Sequence, residues 1–328
     1  MKRKHKCFAL FSGGLDSMLT VKYMEKLGYE VLPIFFSTPF FNPQKAQIAA
    51  DRIDVNLIIH DVSKEYLEMI KKPRYGFGKN MNPCIDCHGL MFRIAGELME
   101  EYSVDFIISG EVMGQRPMSQ RKDALNSVAK LSNIKDLLVR PLSQKLLTDT
   151  LPIREGWVNK KEMLDIQGRG RYRQIELAAQ LGIKEFENPG GGCLLTDVGY
   201  SRKVKDIYEN NMFNMEFIKF LTAGRHFRIS PEIKLIVGKD NNDNDRIAEQ
   251  IDKEIVMLCN DFPGPLGVIQ GIRKPTDDEV RTCAAILLRY CRKAPESSRV
   301  KYGFNHNLIN IISCDKMNEE EVKKFQIN

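Results

Sequence analysis

Long apolar runs are absent from this 328-residue chain. No stretch approaches the roughly 18 consecutive apolar residues that a membrane-spanning helix needs. The apolar run near the start, Cys7–Phe11, is too short for the core of a secretion signal. A cytoplasmic protein with no membrane partner is expected. One-sided charge is also missing. Lys and Arg number 49 against 43 Asp and Glu, and the net charge of +6 permits nucleic acid as a partner without demanding it. There is no internal repeat and no long low-complexity tract. Eight cysteines are too few for a secreted disulfide scaffold of this length. The common nucleotide loop, G-x-x-x-x-G-K-[ST], is missing too, because the first lysine after Gly14 is Lys22.

The strongest signal present is Ser12-Gly-Gly-Leu-Asp-Ser17, placed directly after the apolar run. A buried strand ends in a glycine turn there, and a helix begins at Asp16 or Ser17. Two glycines let the backbone bend tightly and approach a ligand without Cβ clashes. The amides of the turn and of the helix N-terminus then converge on one spot, a site suited to phosphate. Ser12 and Ser17 add hydroxyl donors. Asp16 suits Mg²⁺ or a helix cap better than direct contact with phosphate.

Through the first half, strand-like runs (7–11, 31–36, 56–59, 106–109, 137–139) alternate with helical ones (17–26, 44–51, 63–71, 87–102, 120–132, 160–167, 173–181). This alternation implies an α/β fold, a doubly wound parallel sheet covered on both faces. Ligands on such sheets sit at the carboxyl ends of the strands. Residues 12–17, Phe36-Ser-Thr38 and Ser109-Gly-Glu111 occupy such ends and are expected to share one crevice. The domain division expected is 1–185 for a catalytic domain, 186–204 for a glycine-rich linker carrying Cys193, and 205–328 for a smaller α+β domain. In that last part helices are expected at 204–222, 246–251 and 276–293, with strand-like runs at His226–Ser230, Lys234–Gly238 and Glu254–Cys259 and a turn and strand over 261–270.

Three cysteines stand apart. Asn82-Pro-Cys-Ile-Asp-Cys-His88 places Cys84 and Cys87 at the mouth of a helix, where thiolates are favoured. Cys193 follows Gly190-Gly-Gly192, which gives its thiol room to approach something bulky. A three-thiolate metal or cluster site, a redox pair with a resolving thiol, and coincidence all remain open. Structural zinc needs a fourth ligand, which His88 could supply. Cys7, Cys259, Cys283, Cys291 and Cys314 sit among apolar or helical residues and read as packing.

The SGGLDS loop resembles that of the PP-loop ATPases, which cleave ATP between the α and β phosphates and transfer AMP to an oxygen. With Asn-Pro-Cys-x-x-Cys and a distant third cysteine, roughly residues 5–200 resemble the tRNA thiouridine synthases, that is, the 4-thiouridine synthases and 2-thiouridylases. The resemblance implies an adenine-nucleotide hydrolase-like fold. It implies ATP and Mg²⁺ as cofactors, with ATP bound at Ser12, Gly13, Gly14, Leu15, Asp16 and Ser17 and its adenine near Phe36 and Gly110. It implies tRNA as substrate and sulfide or a cysteine desulfurase as sulfur source. Asp16, Cys84 and Cys193 would act in catalysis. Cys84, Cys87 and Cys193 would hold a [4Fe-4S] cluster. In a second branch of these enzymes Cys84 and Cys193 would instead carry a persulfide and a resolving thiol. Other PP-loop enzymes, such as amidating ligases, share the loop without the three thiols.

Gly224-Arg-His-Phe-Arg228, Lys234–Asn241 and Asp261-Phe-Pro-Gly-Pro265 resemble the RNA-binding domain of the NFACT ribosome-associated proteins. A non-catalytic RNA-binding factor is the corresponding third possibility. Three basic clusters are candidates for RNA contact: Arg169-Gly-Arg-Tyr-Arg173; Arg225, His226 and Arg228; and Arg289, Arg292 and Lys293.

Overall fold

The structure is a computed structural model and describes residues 5–187, 193–305 and 307–327. The chain divides into two compact units, Met1–Leu194 and Leu195–Asn328. The expected role of Gly190–Gly192 in giving Cys193 room lies outside the described residues.

Unit 1 runs β1 (Lys6–Leu10), α1 (Leu15–Lys26), β2 (Glu30–Ser37), α2 (Gln44–Arg52), β3 (Ile58–Asp61), α3 (Ser63–Lys71), α4 (Cys84–Glu97), β4 (Phe106–Ser109), α5 (Lys122–Leu131), β5 (Leu138–Val139), α6 (Leu151–Arg154) and α7 (Tyr172–Gln180). The five strands are parallel, in the order β3-β2-β1-β4-β5. Strand residues alternate between the two faces. Cys7 and Ala9 join Leu15, Met18 and Leu19 of α1 in one core. Phe8, fully buried, sets its ring edge-on to Tyr102 at 5.3 Å. This is the doubly wound sheet the alternation implied, and its switch point falls at β1, directly before the glycine turn.

One expected helix in this unit gives way. Residues 160–167 form only a short turn, Lys160–Glu162. Beyond it the chain is extended, and the amides of Leu164 and Ile166 donate to the carbonyls of Pro141 and Leu142, each at 2.8 Å. Pairing with a neighbouring segment takes the backbone groups that a helix would have used.

Unit 2 contains α8 (Val198–Glu209), α9 (Met215–Ile218), β6 (Arg225–Ser230), β7 (Ile233–Val237), α10 (Asn241–Ala248), β8 (Ile255–Cys259), β9 (Gly267–Gly271), α11 (Asp277–Arg289), β10 (Ser297–Phe304), β11 (Asn310–Asp315) and α12 (Glu319–Phe325). Its antiparallel six-stranded sheet has the order β11-β10-β8-β9-β7-β6. The helix expected over 204–222 is two helices. Asp197 caps the first by accepting from the Tyr200 amide at 2.7 Å, and Asn211 closes it in the left-handed region at φ 57°. The helix expected at 246–251 begins earlier because Asp240 caps it, accepting from the Asp243 amide at 2.9 Å. The polar stretch Asp240-Asn-Asn-Asp-Asn-Asp245 therefore caps and opens the helix. Thr276 and Glu279 form a capping box on α11.

Gly110 sets the spacing between β4 and α1. A Cβ there would lie 2.5 Å from the Asp16 carbonyl oxygen and 2.8 Å from the Ser17 amide nitrogen. Gly110→Ala is expected to force the two backbones apart at a cost of about 1–3 kcal/mol, lowering the unfolding midpoint by several degrees. Gly170→Ala, whose Cβ would meet nothing nearer than 3.8 Å, is the control and should leave the midpoint unchanged in a thermal melt.

Candidate active site

The turn after β1 is built by Gly13, in the left-handed region at φ 76°, with room for no side chain because a Cβ would lie 2.9 Å from the Ala46 Cα. Gly14 is the N-cap of α1 and offers no side-chain cap. Its carbonyl accepts from the amides of Ser17 (3.0 Å) and Met18 (3.1 Å) and from the Ser17 hydroxyl (2.7 Å). An uncapped helix N-terminus presents its first amides outward, where the helix dipole favours an anion. Ser12 is exposed, and its hydroxyl accepts weakly from the Gly14 amide at 3.4 Å. Leu15 has its side chain in the core, so only its backbone is available to a ligand.

Asp16 does not cap the helix. Its Oδ2 accepts from Gln115 Nε2 at 2.6 Å and meets Arg171 Nη2 at 3.4 Å. Gln174 Nε2 in turn donates to Gln115 Oε1 at 2.9 Å. Asp16 Oδ1 and Gln174 Oε1 are buried and have no hydrogen-bond partner among the described residues. Burial raises the Asp16 pKa, and the charge of Arg171 and the Gln115 hydrogen bond pull it back only in part. Two of the three arginines in the Arg169–Arg173 stretch are engaged inside the unit. Arg171 points into the loop and Arg173 pairs with Asp165 at 2.6 Å, while Arg169 and Tyr172 are exposed. Phe36 is buried, its ring edge-on to His60 at 6.0 Å.

The end of β4 carries a second network. Glu111 is buried between Arg140, whose Nε donates to Oε2 at 2.7 Å, and His88, whose Nδ1 lies 2.9 Å from Oε1. Burial opposes ionisation of Glu111, but the charge of Arg140 and the His88 contact outweigh it, and the pKa falls to about 2. Glu111 is therefore an anion at any physiological pH.

Cys84 is the first residue of α4 and is half-buried, with Asn82 Nδ2 3.2 Å from its sulfur. Cys87 is buried one turn on, and burial pushes its thiol pKa well up, reinforced by the nearby thiols of Cys193 and Cys84. The favoured thiolate expected from the helix N-terminus is therefore corrected at Cys87, because desolvation outweighs the dipole. All three sulfurs also act on the Tyr66 hydroxyl, which is fully buried beside the Cys87 thiol. The cysteines read as packing, Cys7, Cys259, Cys283, Cys291 and Cys314, are all buried.

Among the described residues no group of three or more His, Cys, Asp or Glu side chains is placed to hold a metal ion. His88, considered from the sequence as a fourth zinc ligand, has its Nδ1 engaged with Glu111, and a carboxylate on one ring nitrogen is compatible with ligation through the other. In unit 2 the Arg225/His226/Arg228 cluster is also corrected. His226 is buried and its Nε2 bonds the Ala223 carbonyl at 2.8 Å, while Arg228 forms a two-pronged pair with Asp206 at 3.0 and 2.6 Å. Tyr66, Gln115, Gln174 and Arg140 escaped the sequence reading. Arg140 had a signal, since it follows β5 at a strand end; the other three had none.

A parallel sheet whose first strand feeds an SGGLDS turn and an uncapped helix defines a PP-loop type of domain. The family described as "Thiamine biosynthesis protein (ThiI)" matches residues 3–145, and the "NFACT protein RNA binding domain" matches residues 224–326. The N-terminal region is thus thiouridine-synthase-like and the C-terminal region NFACT RNA-binding-domain-like. The tRNA-specific 2-thiouridylase MnmA of Karelsulcia muelleri is 25% identical over 183 residues, 52% of this chain and 47% of that protein. The probable tRNA sulfurtransferase of Thermococcus kodakarensis is 26% identical over 146 residues, 42% of this chain and 36% of that protein. The chain therefore spans about half the length, or less, of these curated relatives. Among solved structures, a 4-thiouridine synthetase–RNA complex with bound ATP matches at TM-score 0.35 and 22% identity, covering 55% of this chain and 52% of that chain.

Glu111 makes a measurable pH prediction. Its folded pKa lies below its unfolded value of about 4.5, so its contribution, on the order of 3 kcal/mol, is fully present above pH 4.5 and lost as pH falls toward 2. Glu111→Gln leaves Arg140 buried without its counter-charge and is expected to destabilise by about 3–5 kcal/mol at pH 7. The deficit should shrink on acidification through this window, as urea unfolding across pH will record.

Proposed function

We propose that this protein is an ATP-dependent tRNA uridine thiolation enzyme. The supporting observation is the placement of a phosphate-suited turn and three mutually interacting thiols in one unit. The turn packs on the end of β4 through Gly110, and α4, which opens with Cys84, packs on β4 as well. In the reaction, a uridine carbonyl oxygen attacks the ATP α-phosphorus. The new O–P bond forms as pyrophosphate leaves. Sulfur then attacks the activated ring carbon, and the C–O bond breaks with release of AMP.

Each residue has a part in this reading. The Gly13–Gly14 turn, with the α1 amides and Ser12 and Ser17, holds the triphosphate and offsets its charge. The unpartnered Oδ1 of Asp16 is an open acceptor that suits Mg²⁺. Arg171, 3.4 Å from Asp16, would be placed to meet the triphosphate as well, since a guanidinium pairs with phosphate as it does with carboxylate. Glu111 fixes the His88 ring on the Cys84 side of α4. Cys84, Cys87 and Cys193 handle sulfur. Three soft thiol ligands suit a [4Fe-4S] cluster, whose own sulfides let the ligands stand further apart than around a single ion. When bound, such a cluster supplies a place for sulfide beside the activated carbon. A persulfide and a resolving thiol on Cys84 and Cys193 are the second reading, with Cys87 dispensable and iron unnecessary. The domain limits expected from the sequence, 1–185, 186–204 and 205–328, belong to this proposal too.

Two sets of variants test it. Asp16→Ala and Arg171→Ala should each lower tRNA-dependent AMP release by at least about 100-fold while the chain stays folded by circular dichroism. Undiminished release would remove the loop from the chemistry. Cys84→Ala, Cys87→Ala and Cys193→Ala should each abolish thiouridine in tRNA nucleosides by mass spectrometry, whereas Cys259→Ala should not. Iron analysis of anaerobic protein separates the sulfur readings: an active, iron-free Cys87→Ala enzyme excludes the cluster.

A further inference from the structure

We infer that the groove between the end of α11 and α12 is where unit 2 holds the phosphodiester backbone of single-stranded RNA. This rests on the RNA-binding half of the reading above and assigns it a place. The groove encloses about 480 Å³ and is lined by Arg289, Tyr290, Arg292, Lys316, Glu319 and Lys323, among others. Four cations face one carboxylate. Glu319 serves two of them, meeting Arg289 and Lys323 at 3.3 Å each. Lys316 donates to the Ala294 carbonyl, so its charge is not neutralised. Arg292 is exposed and has no hydrogen bond or ion pair among the described residues.

The surplus is local. Elsewhere in unit 2 several arginines are spent on carboxylates: Arg228 on Asp206, Arg273 on Glu232 and Glu279, and Arg299 on Asp261. This concavity combines unspent positive charge with an aromatic wall. The Arg225 guanidinium lies over the Tyr290 ring at 4.7 Å. Planar guanidinium and half-buried phenol together form a platform on which a base can stack while flanking phosphates meet Arg292 and Lys323. An acidic peptide would use the charge but leave the platform idle, which favours RNA.

The test uses the full-length chain with a fluorescent oligouridylate and unmodified tRNA, titrated from 50 to 200 mM salt. Arg292→Ala/Lys323→Ala removes two exposed cations and should leave the unfolding midpoint unchanged. It should weaken oligouridylate binding about tenfold at 100 mM salt and flatten the log–log salt slope by about 1.4, at ~0.7 per contact. Glu319→Gln should act in the opposite direction, tightening binding several-fold by releasing Arg289 and Lys323. Equal affinity and slope for the double variant and the parent would overturn the inference. So would displacement of the RNA by polyglutamate at equal charge, which would show a site for acidic chains. AMP release keeps the two readings apart. Unchanged RNA binding in a double variant of an active enzyme defeats only the groove. Weakened RNA binding in a chain that never thiolates tRNA defeats only the thiolation.

Discussion

Asp16 is partly buried where the glycine turn meets α1, and the structure around it is arranged to meet that one carboxylate. Burial makes its charge unfavourable, so the fold supplies partners from far along the chain: Gln115 from the segment after β4 and Arg171 from the start of α7. Gln174 then holds Gln115. The result ties α7 across α1 and the glycine turn. It leaves one carboxylate oxygen without a hydrogen-bond partner among the described residues, beside the uncapped N-terminus of α1.

The second constraint is the close approach at Gly110, which brings the network at the end of β4 up to the turn. Arg140 holds Glu111 ionised, and Glu111 holds His88. His88 lies one helical turn after Cys84, so both face the same side of α4. Phosphate turn, fixed histidine and thiols therefore follow from two adjacent strand ends and the helices they position. Helix dipole and burial oppose each other at the thiols. Burial prevails at Cys87, which keeps that sulfur protonated until a cation or an acceptor arrives.

Unit 2 shows how little a cluster of basic letters says about a surface. Arg225, His226 and Arg228 lie on β6, and β6 pairs with β7 inside the unit. Two of the three side chains are consumed by internal hydrogen bonds or an ion pair. Arg289 and Arg292 were an equal-looking cluster in sequence, yet they flank a cavity with surplus charge.

Patterns with a short period were legible in the sequence because neighbours along the chain determine them. The order of strands and helices in unit 1, the glycine turn after β1, the helix opening near Cys84 and the five buried cysteines all follow from local periodicity, turn chemistry and composition. Helix ends were less legible, because caps such as Asp197 and Asp240 and the pairing of Leu164 with Pro141 compete with propensity by single hydrogen bonds. The partners of Asp16 and Glu111 could not be read at all. Arg171 and Asp16 stand 155 positions apart, and Arg140 and Glu111 stand 29 apart. Only folding decides which cation reaches which buried carboxylate, because that depends on desolvation and on a few ångströms of packing that no one-dimensional spacing encodes.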